Sequence, residues 1–214
     1  NTGNALLTAA AVLGQEASFD NLRRVAGLEE IQALTALDEL LMRQLLLEAE
    51  ETSHKPGREV IYNFSHHKVA ELVYTEAGAA RRRILHRRAL ETLEGTDTPV
   101  AELAHHAQNA GLWMELIQYS LAAGNTAMDL LAVGVAITHY ETAWQLVERI
   151  GWPETISGAD IQDLFAKLGR AYELAGSWLQ AQETYQAMIN YAKTIGAPTM
   201  ECLGLNLLAT VFIN

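Results

Sequence analysis

The chain has 214 residues, half of them hydrophobic and 19% charged, with a formal net charge of −11. That much apolar material excludes a disordered chain, and the acidic balance works against a surface that binds nucleic acid as a whole. A single cysteine, Cys202, excludes an intrachain disulfide and suits a reducing cytoplasm; it falls in an apolar helical run, where it reads as a small core residue.

No apolar stretch reaches the roughly 20 residues that a membrane helix needs. The start, Asn1 to Leu7, has neither an initiator methionine nor the positive region of a signal peptide, and the end near Phe212 stops inside an apolar helical pattern. Both ends are expected to be cuts in a longer protein.

Residues 5–13 and 19–27 predict two short helices closed by Gly14 and Gly27, with Asp20 and the Glu29, Glu30 pair at helix starts where the dipole favours acids. From Glu30 a longer helix carries Ile31, Leu34, Leu37, Leu41 and Met42 at three-to-four spacing. Turn residues 52–57 then separate two runs. In the second, Val60, Tyr62 and Phe64 alternate with Ile61 and Asn63, so a β-hairpin is expected. Three helices followed by a hairpin is the layout of a winged helix.

Two further helices are predicted over 66–77 and 79–94, and residues 95–99 form the clearest linker, with Pro99 suited to a first helical turn. A winged-helix-like domain is therefore expected over 1–95 and helical repeats over 96–214. Helix pairs are read at 100–110 with 113–124, 126–131 with 133–149, and 160–175 with 178–194, before a last helix from 198. Leu168, Gly169, Tyr172, Gly176, Ala181 and Tyr185 have the small-and-aromatic spacing of a helix-turn-helix repeat. Gly124, Ala136 and Tyr140 repeat Gly169, Ala181 and Tyr185 at an offset of 45 positions, longer than the roughly 34 of a tetratricopeptide repeat because of the connection at 151–158. A less regular copy runs from Leu103 through Gly111 to Tyr119. The fold class is mainly α.

Chemistry-bearing patterns are sparse. The pairs His66, His67 and His105, His106 point about 100° apart on a helix, so neither can chelate a metal from one face, and no zinc or phosphate-loop motif occurs. No nucleophile elbow surrounds Ser65. The chain reads as non-catalytic. Residues 81–88 gather five arginines and His86; they read first as solvated or paired with acids, then as contacts within the molecule or to a protein, with Arg82 and Arg87 as candidates, and last as DNA contacts. Stacked repeats leave a concave face free, and Asn109, Gln118, Gln162 and Arg170 are candidate polar contacts there for a protein or peptide. Of the aromatics, Trp113, Tyr119, Tyr140, Trp144, Tyr172, Trp178, Tyr185 and Tyr191 read chiefly as packing.

Phe64-Ser-His-His-Lys-Val-Ala-Glu-Leu-Val-Tyr74 with the arginine-rich 81–94 segment resembles the stretch that closes the winged-helix region of STAND-class signal-transduction ATPases. Glu102 to Gly111 and Ala136 to Ala143 resemble the opening of that family's tetratricopeptide sensor array. The resemblance implies a regulatory arm: the winged helix holds an upstream ATPase closed around ADP while the repeats sense a ligand or partner. ATP or ADP would bind upstream, with no cofactor in this segment. A histidine before an aspartate touches the nucleotide phosphate in that family; the matching position here is His66, followed by His67 instead of Asp, and His66 also reads as the cap of the helix that starts there. The alternative to a regulatory segment is a DNA-binding winged-helix regulator working through residues 81–88.

Overall fold

The computed structural model describes residues 2–14, 16–49, 60–152, 154 and 156–212. Among them eleven helices and three short strands form two compact units, Asn1–Leu112 and Trp113–Asn214. The chain is mainly helical, and no helix among the described residues is long and apolar enough to cross a membrane.

The first unit is organised around α1 (Thr2–Leu13), which packs against α2 (Phe19–Ala26), α3 (Glu30–Met42), α4 (His67–Glu76) and α5 (Ala79–Leu93). Leu6, Ala9, Ala10 and Leu13 turn one stripe of α1 inward at helical spacing, and the two alanines let neighbouring backbones come close. The α2 helix is specified locally. Ser18 caps it by accepting from the Asn21 amide at 3.3 Å, Asp20 pairs with Arg23 and Arg24 at 2.7 Å, and Gly27 closes it in the left-handed region at φ 69°.

Three antiparallel strands complete the unit in the order β1 (Ala17–Ser18), β3 (Ile61–Phe64), β2 (Leu46–Glu48), with Ala17 and Glu48 both opposite Tyr62. The expected pairing of β2 with β3 is present; the turn read at residues 52–57 and the acidic pair Glu50, Glu51 lie outside the described residues. The strand β1 was not legible, because two residues cannot show an alternation. Leu72 is 57% exposed on α4, which has no fully buried residue.

The basic helix departs from the expectation of acidic partners. Arg82 donates to the Tyr74 carbonyl at 3.2 Å near the end of α4 and lies over the Tyr74 ring. Arg83 donates to the Ala110 carbonyl at 2.9 Å, at the end of α6 (Val100–Ala110). Arg88 reaches the Ala26 carbonyl at 3.3 Å, at the end of α2. Three arginines of α5 thus meet the final carbonyls of three helices, where unpaired C=O groups and the negative dipole end both favour a cation.

In the second unit, α7 (Trp113–Asp129) pairs with α8 (Val133–Ile150), α9 (Gly158–Leu174) with α10 (Trp178–Ile195), and α11 (Pro198–Val211) packs on α10. The segments expected as separate helices at 113–124 and 126–131 form one continuous α7. Gly124, which resembles a break, is instead a point of close approach: a Cβ there would lie 2.5 Å from the Tyr140 ring. Gly169 meets Tyr185 in the same way, and both tyrosines, with Ala136 and Ala181, are fully buried. The 45-residue offset is therefore a repeated packing unit as well as a repeated pattern. Cys202 is exposed rather than in the core, because α11 turns Met200 and Gly204 inward and residue 202 falls on the other side.

Candidate functional site

The face of α7 beside α9 carries a groove in the second unit. Gln118, Leu121, Ala122 and Asn125 recur at three-to-four spacing and line one wall; Asp160, Asp163 and Leu164 recur likewise on α9 and line the other. Tyr140 and Ile156 complete a cavity of about 220 Å³.

A polar chain runs along it. The Tyr140 hydroxyl donates to Asn125 Oδ1 at 2.8 Å, Lys167 Nζ donates to the same oxygen at 3.0 Å, and Lys167 also pairs with Asp163 at 2.6 Å. Burial, then Asp163 and Asp129, push the Tyr140 hydroxyl well above its usual range, so it stays a donor and fixes the Asn125 amide. Asp160 is held by a capping box with Ser157, whose hydrogen bonds lower its carboxyl. The arrangement presents carboxylates, amides and an apolar floor.

The sequence candidates are scattered. Gln118 lies in the groove wall. Gln162 is half-buried on α9, one position from Asp163. Arg170 is paired with Glu173 at 2.6 Å, and Glu173 in turn accepts from the buried Tyr185 hydroxyl at 2.8 Å. Asn109 belongs to α6 of the first unit and donates to the His105 carbonyl of its own helix at 2.8 Å. Arg82 is engaged with Tyr74, whereas Arg87 is exposed. His66 is the N-cap of α4, its Nδ1 accepting from the Lys68 amide at 3.4 Å. Trp113 and Trp178 are 45% and 46% exposed, unlike the buried Tyr140 and Tyr185.

Asn125, Asp163 and Lys167 were not singled out from the sequence. For Asn125 a signal existed: it stands 45 positions before Arg170, the offset that relates the two repeats. Among the described residues no group of three or more His, Cys, Asp and Glu side chains is arranged to hold a metal ion. Comparisons of the chain with family models, curated proteins and solved structures found no match.

Proposed function

We propose that this chain is a non-catalytic regulatory segment of a larger nucleotide-dependent signalling protein of the STAND class. In this reading the first unit is a winged-helix-like module coupled to an upstream nucleotide-binding domain, and the second is a tetratricopeptide-like array. The array binds a protein or peptide in the groove between α7 and α9. The carrying observation is the doubled Gly–Ala–Tyr packing of α7–α8 and α9–α10, which stacks helix hairpins and leaves a polar-rimmed groove on one side.

The order α1–β1–α2–α3–β2–β3, with β3 central, supports the winged-helix reading. Helix α3 argues against duplex DNA as its partner: Glu30–Met42 contains three acids and no lysine or arginine, and exposes Ile31, Leu34 and Met42. A protein surface suits that face better. The second unit has ten acidic residues against four basic ones, so its partner peptide is expected to be basic.

The test of the groove is an array of random-sequence peptides probed with the whole chain. Peptides bearing lysine or arginine are expected to be retained, with binding to Asp163→Asn about tenfold weaker. Equal retention of acidic and basic peptides by both proteins would sink the reading. The coupling half is tested by the residues encoded ahead of Asn1: a Gly-x-x-x-x-Gly-Lys-Ser/Thr loop is expected within about 300 positions, and its absence removes the nucleotide switch.

A further inference from the structure

Among the described residues of the first unit, the histidines leave one buried nitrogen without a hydrogen-bond partner. His86 on α5 and His106 on α6 are 0% and 1% exposed, and their Nδ1 atoms lie 2.9 Å apart, so one donates and the other accepts. The Tyr74 hydroxyl is 2.9 Å from His86 Nε2. His106 Nε2, at the far end of this chain, makes no hydrogen bond to any described residue; Glu102 Oε1 lies 3.9 Å away, beyond hydrogen-bond reach. Native interiors rarely leave such an atom unmatched.

Burial holds both imidazoles neutral, lowering His86 to about 3 and His106 to about 4. A neutral imidazole has one N–H and one bare nitrogen, so the chain has two settings. In one, His106 Nε2 carries the proton. In the other, His106 Nδ1–H donates to His86, His86 Nε2–H donates to Tyr74, and His106 Nε2 is a bare acceptor. The other ionisable neighbours are His105, its ring 5.5 Å from His86 and 5.6 Å from His106, and Arg82 over Tyr74.

His106 lines a cleft of about 350 Å³ that it shares with Gly14, Glu16, Glu102 and His105. Val12 and Leu13, at the end of α1, form an apolar side. Two carboxylates in the wall repel an anionic or purely accepting ligand, and they favour a cation that donates. Burial already raises the Glu102 carboxyl, a displacement that a bound positive charge would reverse.

We propose that this cleft binds a small primary alkylammonium group, its N–H donors shared among His106 Nε2, Glu102 and Glu16 and its methylenes against Val12 and Leu13. Binding selects the setting in which His106 Nε2 is bare and passes the rearrangement through His86 to Tyr74. The inference stands on the first unit alone and does not depend on the peptide groove.

The experiment is a titration of the whole chain, with histidine side chains labelled with nitrogen-15, by n-butylammonium chloride. n-Butanol and sodium chloride serve as controls. A saturating change in the His106 Nε2 resonance toward the unprotonated form is expected, about tenfold weaker in Glu102→Gln and in Glu16→Gln, and unchanged in Asp163→Asn. No saturation, an equal response to sodium chloride or butanol, or a protonated Nε2 in the complex would each overturn the proposal. Nα-acetyl-lysine methylamide run in parallel separates the two sources of the group: tighter binding than n-butylammonium assigns a peptide lysine, weaker binding a free amine.

Discussion

The two units place polar groups inside by opposite means. The first buries two neutral histidines against each other and ties α5 to the ends of three helices through arginine–carbonyl bonds. The second buries tyrosines whose rings fill the space left by glycines and whose hydroxyls reach the rim, at Asn125 and Glu173. The first solution is made once and depends on protonation. The second is made twice and depends on shape.

Acid separates them most. Both histidines titrate in the native state below their ordinary 6.5, so the unfolded chain binds more protons and stability falls as pH drops from 6.5 toward 4 and 3. Amide exchange measured from pH 7 to 4 is expected to show α5 and α6 losing protection first, whereas the buried tyrosine hydroxyls of the second unit stay protonated throughout. Equal loss in α9 and α10 would break the contrast.

The shape-dependent side yields next. Tyr185→Ala removes a fully buried ring and is expected to destabilise the second unit by about 3–5 kcal/mol in urea unfolding, with the first unit unaffected. Gly124→Ala forces a methyl group toward the Tyr140 ring, for a loss of about 1–3 kcal/mol by the same measurement. A neutral outcome there would show that Tyr140 has room to move.

Smaller effects probe the helix ends. Arg83→Ala leaves the Ala110 carbonyl without its cation and is expected to cost about 1 kcal/mol, read from thermal unfolding of the first unit. Leu131, in the turn after α7, has φ 58°, and its counterpart 45 positions on is Gly176 at φ 73°. Leu131→Gly should relieve the left-handed strain and stabilise α7–α8 by about 0.5 kcal/mol in calorimetry, the smallest change of the set.

The α9–α10 hairpin was readable because its signals are local. Gly176 marks the turn, and Leu168, Gly169, Ala181 and Tyr185 lie within one repeat. The copy at α7–α8 was misread in one place: Gly124 looks like a helix break unless Tyr140 is known to lie against it. Of the groove, Gln118 was legible, but Asn125, Asp163 and Lys167 come from α7 and α9 and meet only after folding.

Helical periodicity, caps and the 45-residue offset are properties of neighbouring residues, so the sequence by itself determined a mainly helical chain with a small hairpin and an internally repeated second half. Tertiary structure decided what lies far apart along the chain. Arg88 meets Ala26 across 62 positions, Arg83 meets Ala110 across 27, and His86 meets His106 across 20. Sequence spacing cannot encode those partners, because packing of whole helices brings them together and burial then sets their charge.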